Sequence, residues 1–232
     1  MNEIIRQRKS IRNYDPAPLD DDTLNKVREQ IGKVTPLYAD IRYSIEIVGS
    51  VKGIFNVKAP HYLIFGSEEK EGAFENIGFI GQQLDLFFSE SGIGSCWLGM
   101  AKPEERQETA MPHVVTMAFG KPNEPIPREL SEFNRKALAE ISDGADERLE
   151  AARLAPSASN KQNWYFVAEN CKIHCYRVKP AGLLGGIYGK LQSIDMGIAL
   201  CHIAKESDSF HFSKEPDAAQ RKGCVYMGTV GG

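Results

Sequence analysis

The sequence predicts an α+β fold assembled from two similar halves. Runs with helical period alternate with short apolar or alternating runs, and the order of these elements recurs in the second part of the chain. A Pro-rich polar stretch, GKPNEPIPRELSEFNRK, lies between the two sets, as a crossing segment should. The 232 residues, 42% hydrophobic and 25% charged, suffice for one large domain or two small ones. The expected division is residues 1–124, a crossing segment 125–141, and residues 142–232.

Asn2-Glu3-Ile4-Ile5 opens a first helix, and Tyr14-Asp15-Pro16-Ala17-Pro18 breaks it. Asp20 to Asp22 cap DDTLNKVREQI, whose Leu24, Val27 and Ile31 recur at helical spacing. Residues 42–49 and 61–67 read as strands, residues 77–92 as a helix apolar on most sides and ended by Gly92, and residues 113–120 as another strand. The second half repeats the order: helix 145–155, strands in NWYFVAEN and KIHCYRV, apolar helix 193–207 and strand 224–230. Ala151 to Pro156 matches Ile31 to Pro36 at an offset of 120, Gly197 and Leu200 match Gly81 and Leu84 at 116, and Tyr226-Met227 matches Thr116-Met117 at 110.

The net charge of −3 and the dispersed basic residues suggest neither a nucleic-acid nor a membrane surface. No apolar run approaches the ~20 residues that span a bilayer, and the polar start MNEIIRQRKSIRNYD lacks a secretory h-region. Five cysteines without a CxxC pair are expected to be free thiols in a reducing cytoplasm. Cys171 and Cys175 flank His174, but on a strand His174 would point to the opposite face, which argues against a metal site. No histidine completes a Ser–His–Asp or Cys–His arrangement; His202 and His211, near the end of the second apolar helix, are the ones worth inspecting.

Three segments carry chemistry. Arg8, Lys9, Ser10 and Arg12 offer guanidinium forks and a hydroxyl close together, suited to a phosphate. Ala155 to Trp164 (APSASNKQNW) ends a helix at a proline and then offers hydroxyls and amides that can bond the edge of a planar heterocycle. Gly92 to Met100 (GIGSCWLGM) has glycines that let a backbone approach a ligand, where a main-chain N–H can stabilise charge developing on a ring. It follows a helix instead of a strand, so it is not a dinucleotide-binding GxGxxG turn.

The order RKSIR, APSASNKQNW, GIGSCWLG, AFGKP and NRKALAEI resembles the FMN-dependent nitroreductase family over most of the chain. The resemblance implies a nitroreductase-like α-β-α sandwich. It implies that Arg8, Lys9, Ser10 and Arg12, joined by Arg135 and Lys136, hold the FMN phosphate and ribityl chain. Trp97, Leu98 and Gly99 would line the isoalloxazine. Pro156, Ser157, Ala158, Ser159, Asn160 and Gln162 would come from the other half, as the family takes them from a partner subunit. NADH or NADPH would deliver hydride to the flavin, and a nitroaromatic or quinone-like small molecule would then accept it. A flavin-binding protein without turnover, or one that consumes flavin, is the alternative.

The departures are informative. Where the family places its polar loop, the first half has Val34 to Asp40, which keeps the proline but lacks the Ser/Asn run. In the second half, Leu130 and Glu132 stand where Ser10 and Arg12 would be expected, and Asp208 to Phe212 replace the glycine-rich segment. Asn163 occupies a position where the family usually has a second proline. Each half lacks what the other keeps, which predicts an internal pseudo-dimer with one complete FMN site, one lost site and a monomeric chain. Substrate choice is expected to depend on Gly182 to Gly189.

Overall fold

The computed structural model describes residues 2–53, 57–104, 111–179 and 185–231. The first half contains α1 (Glu3–Gln7), α2 (Asp21–Ile31), β1 (Tyr43–Val48), β2 (Val51–Lys52), β3 (His61–Ser67), α3 (Ala73–Glu90), β4 (Gly94–Leu98), β5 (Lys102–Pro103) and β6 (His113–Gly120). The second contains α4 (Leu138–Ile141), β7 (Ser142–Asp143), α5 (Arg148–Leu154), β8 (Trp164–Glu169), β9 (Lys172–Val178), α6 (Gly185–Lys205), β10 (His211–Ser213) and β11 (Cys224–Gly231). Asp20 caps α2 as expected, its Oδ1 accepting from Thr23 N at 2.8 Å.

The two sheets have the same plan. One runs β1-β3-β6-β4, the other β8-β9-β11-β10, antiparallel throughout, with β7 added in parallel beside β8. Each half thus supplies a strand pair, a long helix and a second strand pair, which is the repeat expected from the sequence. The long helix α3 packs on β3, β4 and β6, α6 packs on β8 and β9, and α3 and α6 pack along each other. Leu63, Phe65, Ile77 and Leu84 of the first half share one continuous core with Phe166, Cys175, Ile198 and Leu200 of the second. This is an α+β fold with an internal pseudo-dimer.

The α3–α6 contact is reciprocal. A Cβ on Gly78 would fall well inside the van der Waals distance of the Ile194 carbonyl oxygen, and a Cβ on Gly197 would do the same to that of Glu75. Each glycine meets the carbonyl three residues before the other, as a two-fold axis between the helices requires. Gly78 is therefore the counterpart of Gly197, at an offset of 119; the sequence match of Gly81 with Gly197 is out of register. Gly81 serves another contact, since its missing Cβ makes room for the Trp97 ring.

Three sequence readings change. Residues 94–98 form a strand paired with β6, because Cys96, Trp97 and Leu98 fit a sheet face and β6 offers its edge. The helix expected from residue 193 begins at Gly185, within the Gly182–Gly189 segment, whose residues 182–184 lie outside the described residues. Cys171 lies in a turn at φ 60° before β9 and is exposed, whereas Cys175 is buried; all five cysteines are free. His174 is itself buried and bonds Thr229 at 2.7 Å, and no metal-binding cluster occurs among the described residues. Nor is any helix among them long and apolar enough to cross a membrane.

Candidate functional site

A continuous cleft runs between the N-terminal basic segment and the polar loop of the second half. Its inner part, about 220 Å³, is lined by Ser10, Arg12, Trp97, Gly99, Ser157 and Asp195, among others. Its outer part, about 530 Å³, is lined by Arg8, Lys9, Arg128, Glu132, Arg135 and Asn160, among others. Ser10, Arg12, Pro156, Ser157 and Ser159 line both parts, so the walls are shared. Residues 147 positions apart, Ser10 and Ser157, thereby face one space.

The polar loop is an ordered and strained structure. Ser159, Asn160 and Gln162 all hold positive φ, at 50°, 54° and 49°, which costs free energy in non-glycine residues and marks a conformation imposed from outside. Side chains impose it. Arg135 Nη1 donates to Asn160 Oδ1 at 2.6 Å, and Asn160 Nδ2 donates to the Asn134 carbonyl at 2.6 Å. Gln162 N donates to Ser157 Oγ at 2.9 Å, and Lys136 N donates to Gln162 Oε1 at 2.8 Å. Lys136 Nζ reaches the Gln162 carbonyl at 3.2 Å, and Ala158 N donates to Asp195 Oδ1 at 2.9 Å.

The floor of the cleft is a buried polar network that joins the halves. Arg8, 2% exposed, donates to Asp85 Oδ2 at 3.1 Å, while Ser95 Oγ donates to Asp85 Oδ1 at 2.6 Å. Gln82 Nε2 donates to Asp85 Oδ2 at 2.9 Å and to His202 Nε2 at 3.1 Å. His202 can accept there because its Nδ1–H is directed to the Ala151 carbonyl at 2.9 Å. Burial lowers the His202 pKa to about 4, so this neutral tautomer persists at neutral pH. Trp97 Nε1 donates to Gln82 Oε1 at 3.3 Å and its ring stacks on Phe65, fixing the indole at the inner cleft.

The outer part is electrostatically incomplete. Arg8, Arg128 and Arg135 crowd together, and buried nitrogens on each (Arg8 Nε, Arg128 Nε and Nη2, Arg135 Nε) have no hydrogen-bond partner. Burial and mutual repulsion lower the pKa of Arg128 to about 9 and that of Arg135 to about 10. Lys9 is paired with Glu124 at 3.1 Å. Such a cluster fits a phosphate, whose oxygens supply the missing acceptors and charge.

Most of the sequence-predicted residues meet in this cleft, but three do not line it. Leu98 is buried in the core with Ile11, Tyr14 and Cys96 and does not reach the cleft. Lys136 and Gln162 brace the polar loop from behind. Glu132, which the repeat puts at the Arg12 position of the lost site, lines the surviving cleft beside Arg128. The crossing segment folds back onto α1, with Arg128 N donating to the Gln7 carbonyl at 3.3 Å.

Arg128 and Asp195 are polar lining residues that the sequence did not single out. Arg128 was hidden in the Pro-rich segment that reads as a connection. Asp195 is the only acidic residue between Leu191 and Ala204 in the apolar helix α6, and that isolation was a usable signal. Cys96 also lines the cleft, but burial raises its pKa, so it remains a thiol and a poor nucleophile.

A second hollow of about 470 Å³ is lined by Tyr38, Asp40, Glu75, Arg177 and Lys214, among others. Its loop is held by the same device: Tyr38 N donates to Asn76 Oδ1 at 3.0 Å. Ion pairs Lys70–Asp40 and Lys214–Glu71 lie along it.

Comparison with known proteins agrees with this architecture. The family described as "Putative TM nitroreductase" matches residues 1–207. Among solved structures, a "putative nitroreductase" from Thermotoga maritima is 20% identical, covers 99% of this chain and 92% of its own, and superposes with a TM-score of 0.66. A nitroreductase family protein from Clostridium difficile 630 is 17% identical, with 60% of this chain and 96% of its own covered, at a TM-score of 0.47. A "putative NADH dehydrogenase/NAD(P)H nitroreductase" from Bacteroides thetaiotaomicron is 16% identical, with 57% and 91% covered, at 0.45. No curated protein matches the sequence. With nearly nine-tenths of its length matched and both halves present in one repeated fold, the chain belongs to this nitroreductase family.

Proposed function

We propose that this chain is an FMN-dependent oxidoreductase of the nitroreductase type, with one FMN per chain and no need of a second subunit. It would take hydride from NADH or NADPH and pass it to nitroaromatic or quinone-like acceptors. The observation that carries this reading is the single cleft in which a basic segment from one half meets a strained polar loop from the other.

Arg8, Arg12, Arg128 and Arg135 would hold the phosphate, with Ser10 and Ser157 between them and the inner cleft. Trp97, Gly99, Pro156 and Ala158 would enclose the ring, and Arg135 and Lys136 would keep the loop in its strained form. When bound, FMN supplies reversible hydride acceptance; the protein supplies orientation, electrostatics and partial exclusion of water. The Leu191 side chain, close to Gly99, helps to close the inner wall.

The test is reconstitution with FMN, a visible spectrum and the ratio of flavin to chain. One FMN per chain, bleached anaerobically by NADH or NADPH and reoxidised by a quinone, is expected, on a protein that is monomeric by light scattering. A protein that cannot be loaded overturns the flavin reading. Bound flavin that neither nicotinamide reduces would make it a flavin-binding protein without this turnover.

A further inference from the structure

Asp195 has a role that neither the basic segment nor the polar loop supplies. It is 4% exposed, stands in the middle of the apolar helix α6, and lines the inner cleft with Trp97, Gly99 and Ser157. One oxygen, Oδ1, accepts the Ala158 N–H; the other, Oδ2, is buried without a hydrogen-bond partner. An unsatisfied buried carboxylate oxygen is costly unless it gains a proton, a partner or both.

The pseudo-two-fold provides a control within the molecule. At an offset of 119 the counterpart of Asp195 is Asn76, which is fully buried and accepts the Tyr38 N–H at Oδ1. Asn76 Nδ2 occupies the place of Asp195 Oδ2 and likewise has no partner. The same loop-holding bond is therefore made by a neutral amide in one half and by a carboxyl in the other. Holding the loop does not require an acid. The carboxyl is found in the half where the cleft joins the basic segment.

Resting on the flavin reading above, we propose that Asp195 is a positioning residue that binds the ring as a neutral acid, its free oxygen carrying a proton donated to a ring acceptor. Covering the cleft removes the remaining water from a carboxyl that is already buried, and this favours the uncharged form. In the free protein burial raises the Asp195 pKa to about 7, opposed by the Ala158 N–H, so the group is near half-protonation at neutral pH.

Arg12 and Cys96 line the same cleft. On the elements packed against α6, the titratable or charged groups are Glu75, Asp85 and Glu90 of α3, Arg148, Glu150 and Arg153 of α5, Lys161 beyond the polar loop, Tyr165 and Glu169 of β8, and Lys172, His174, Cys175, Tyr176 and Arg177 of β9. Tyr188, Lys190, Cys201, His202 and Lys205 lie on α6 itself. Asp85 is committed to Arg8, Glu150 to Arg153, and His202 is neutral. Ligand binding should accordingly take up a proton at Asp195.

The experiment measures FMN and riboflavin affinity by fluorescence quenching from pH 6 to 9 for the wild type and Asp195→Asn, an isostere of the protonated acid that keeps both bonds. Riboflavin has no phosphate, and the phosphate ionisation of FMN, at about 6, is common to both proteins and cancels between them. Asp195→Asn should match the wild type at pH 6. Above about pH 7 the wild type should lose affinity relative to it, by up to tenfold per pH unit.

Calorimetry of the wild type in buffers of different ionisation enthalpy should show proton uptake at pH 8, a readout that does not depend on the variant folding. Superimposed pH profiles, proton release, or a uniform loss of affinity in Asp195→Asn would each overturn the proposal while leaving the flavin site intact. A wild type that binds neither flavin at any pH overturns the flavin reading itself, and this one with it.

Discussion

Replacing Gly197 by Ala tests the helix contact on which the composite cleft depends. In an isolated helix this change gains about 1 kcal/mol, because Ala loses less backbone entropy than Gly. Here the new methyl would overlap the Glu75 carbonyl oxygen by on the order of 1 Å, and a backbone atom within α3 cannot rotate away. The helices must part by a comparable distance, and a gap of about that size forfeits a quarter to a half of the dispersion attraction between the side chains that meet there. Overpacking of this kind costs about 3 kcal/mol, leaving a net loss of about 2 kcal/mol after the propensity gain. For a chain of this length that lowers Tm by roughly 4–8 °C.

Gly78→Ala should behave alike, since it meets Ile194 across the same axis. The double variant should lose less than the sum, because helices parted by the first methyl already accommodate the second. Calorimetric or urea unfolding of the two single variants and the double variant measures all three quantities. A rise in Tm for either single variant, or additivity within about 0.3 kcal/mol, would refute the reciprocal contact.

Three further outcomes follow from the site. Asp85→Ala leaves Arg8 buried without its counter-charge and should cost about 3–5 kcal/mol in urea unfolding, with Asp85→Asn costing less; equal, small losses would contradict the burial of the pair. Arg128→Ala should weaken FMN binding about tenfold and make it less sensitive to salt while leaving riboflavin affinity nearly unchanged, as flavin titrations at two salt concentrations would show. His202, with a pKa of about 4 against 6.5 in the unfolded chain, takes up a proton on unfolding between those values. Stability should therefore fall by up to about 3 kcal/mol as pH drops through that window, and His202→Gln should flatten the profile. Asp195 has the opposite sign, its contribution being lost as pH rises from about 4 to 7, so each variant must be compared with the wild type at every pH.

The amino-acid sequence by itself determined the elements and their repetition. Period 3.6 in residues 21–31, continuous apolarity in residues 61–67 and the two apolar helices are local properties, and the structure places elements at each of them. The chemistry of RKSIR and of the APSASNKQNW loop was legible for the same reason: hydroxyls, amides and guanidiniums declare what they can bind wherever they are placed. The strand character of residues 94–98 was masked by Gly92, Gly94 and Gly99 in and around them, because an edge for pairing is supplied by β6 and not by the segment itself.

Tertiary structure decided what depends on distance. The true helix register emerged only where Gly78 and Gly197 meet each other's helix, since a close approach of two backbones leaves no periodic trace in either one. Arg128 became part of the cleft because the crossing segment returns to α1. Asp195 became an unsatisfied carboxyl because burial among the packed helices and one hydrogen bond from the polar loop of its own half fix its state. Residue types fix what a side chain can do; packing fixes which partners it has and whether water can reach it.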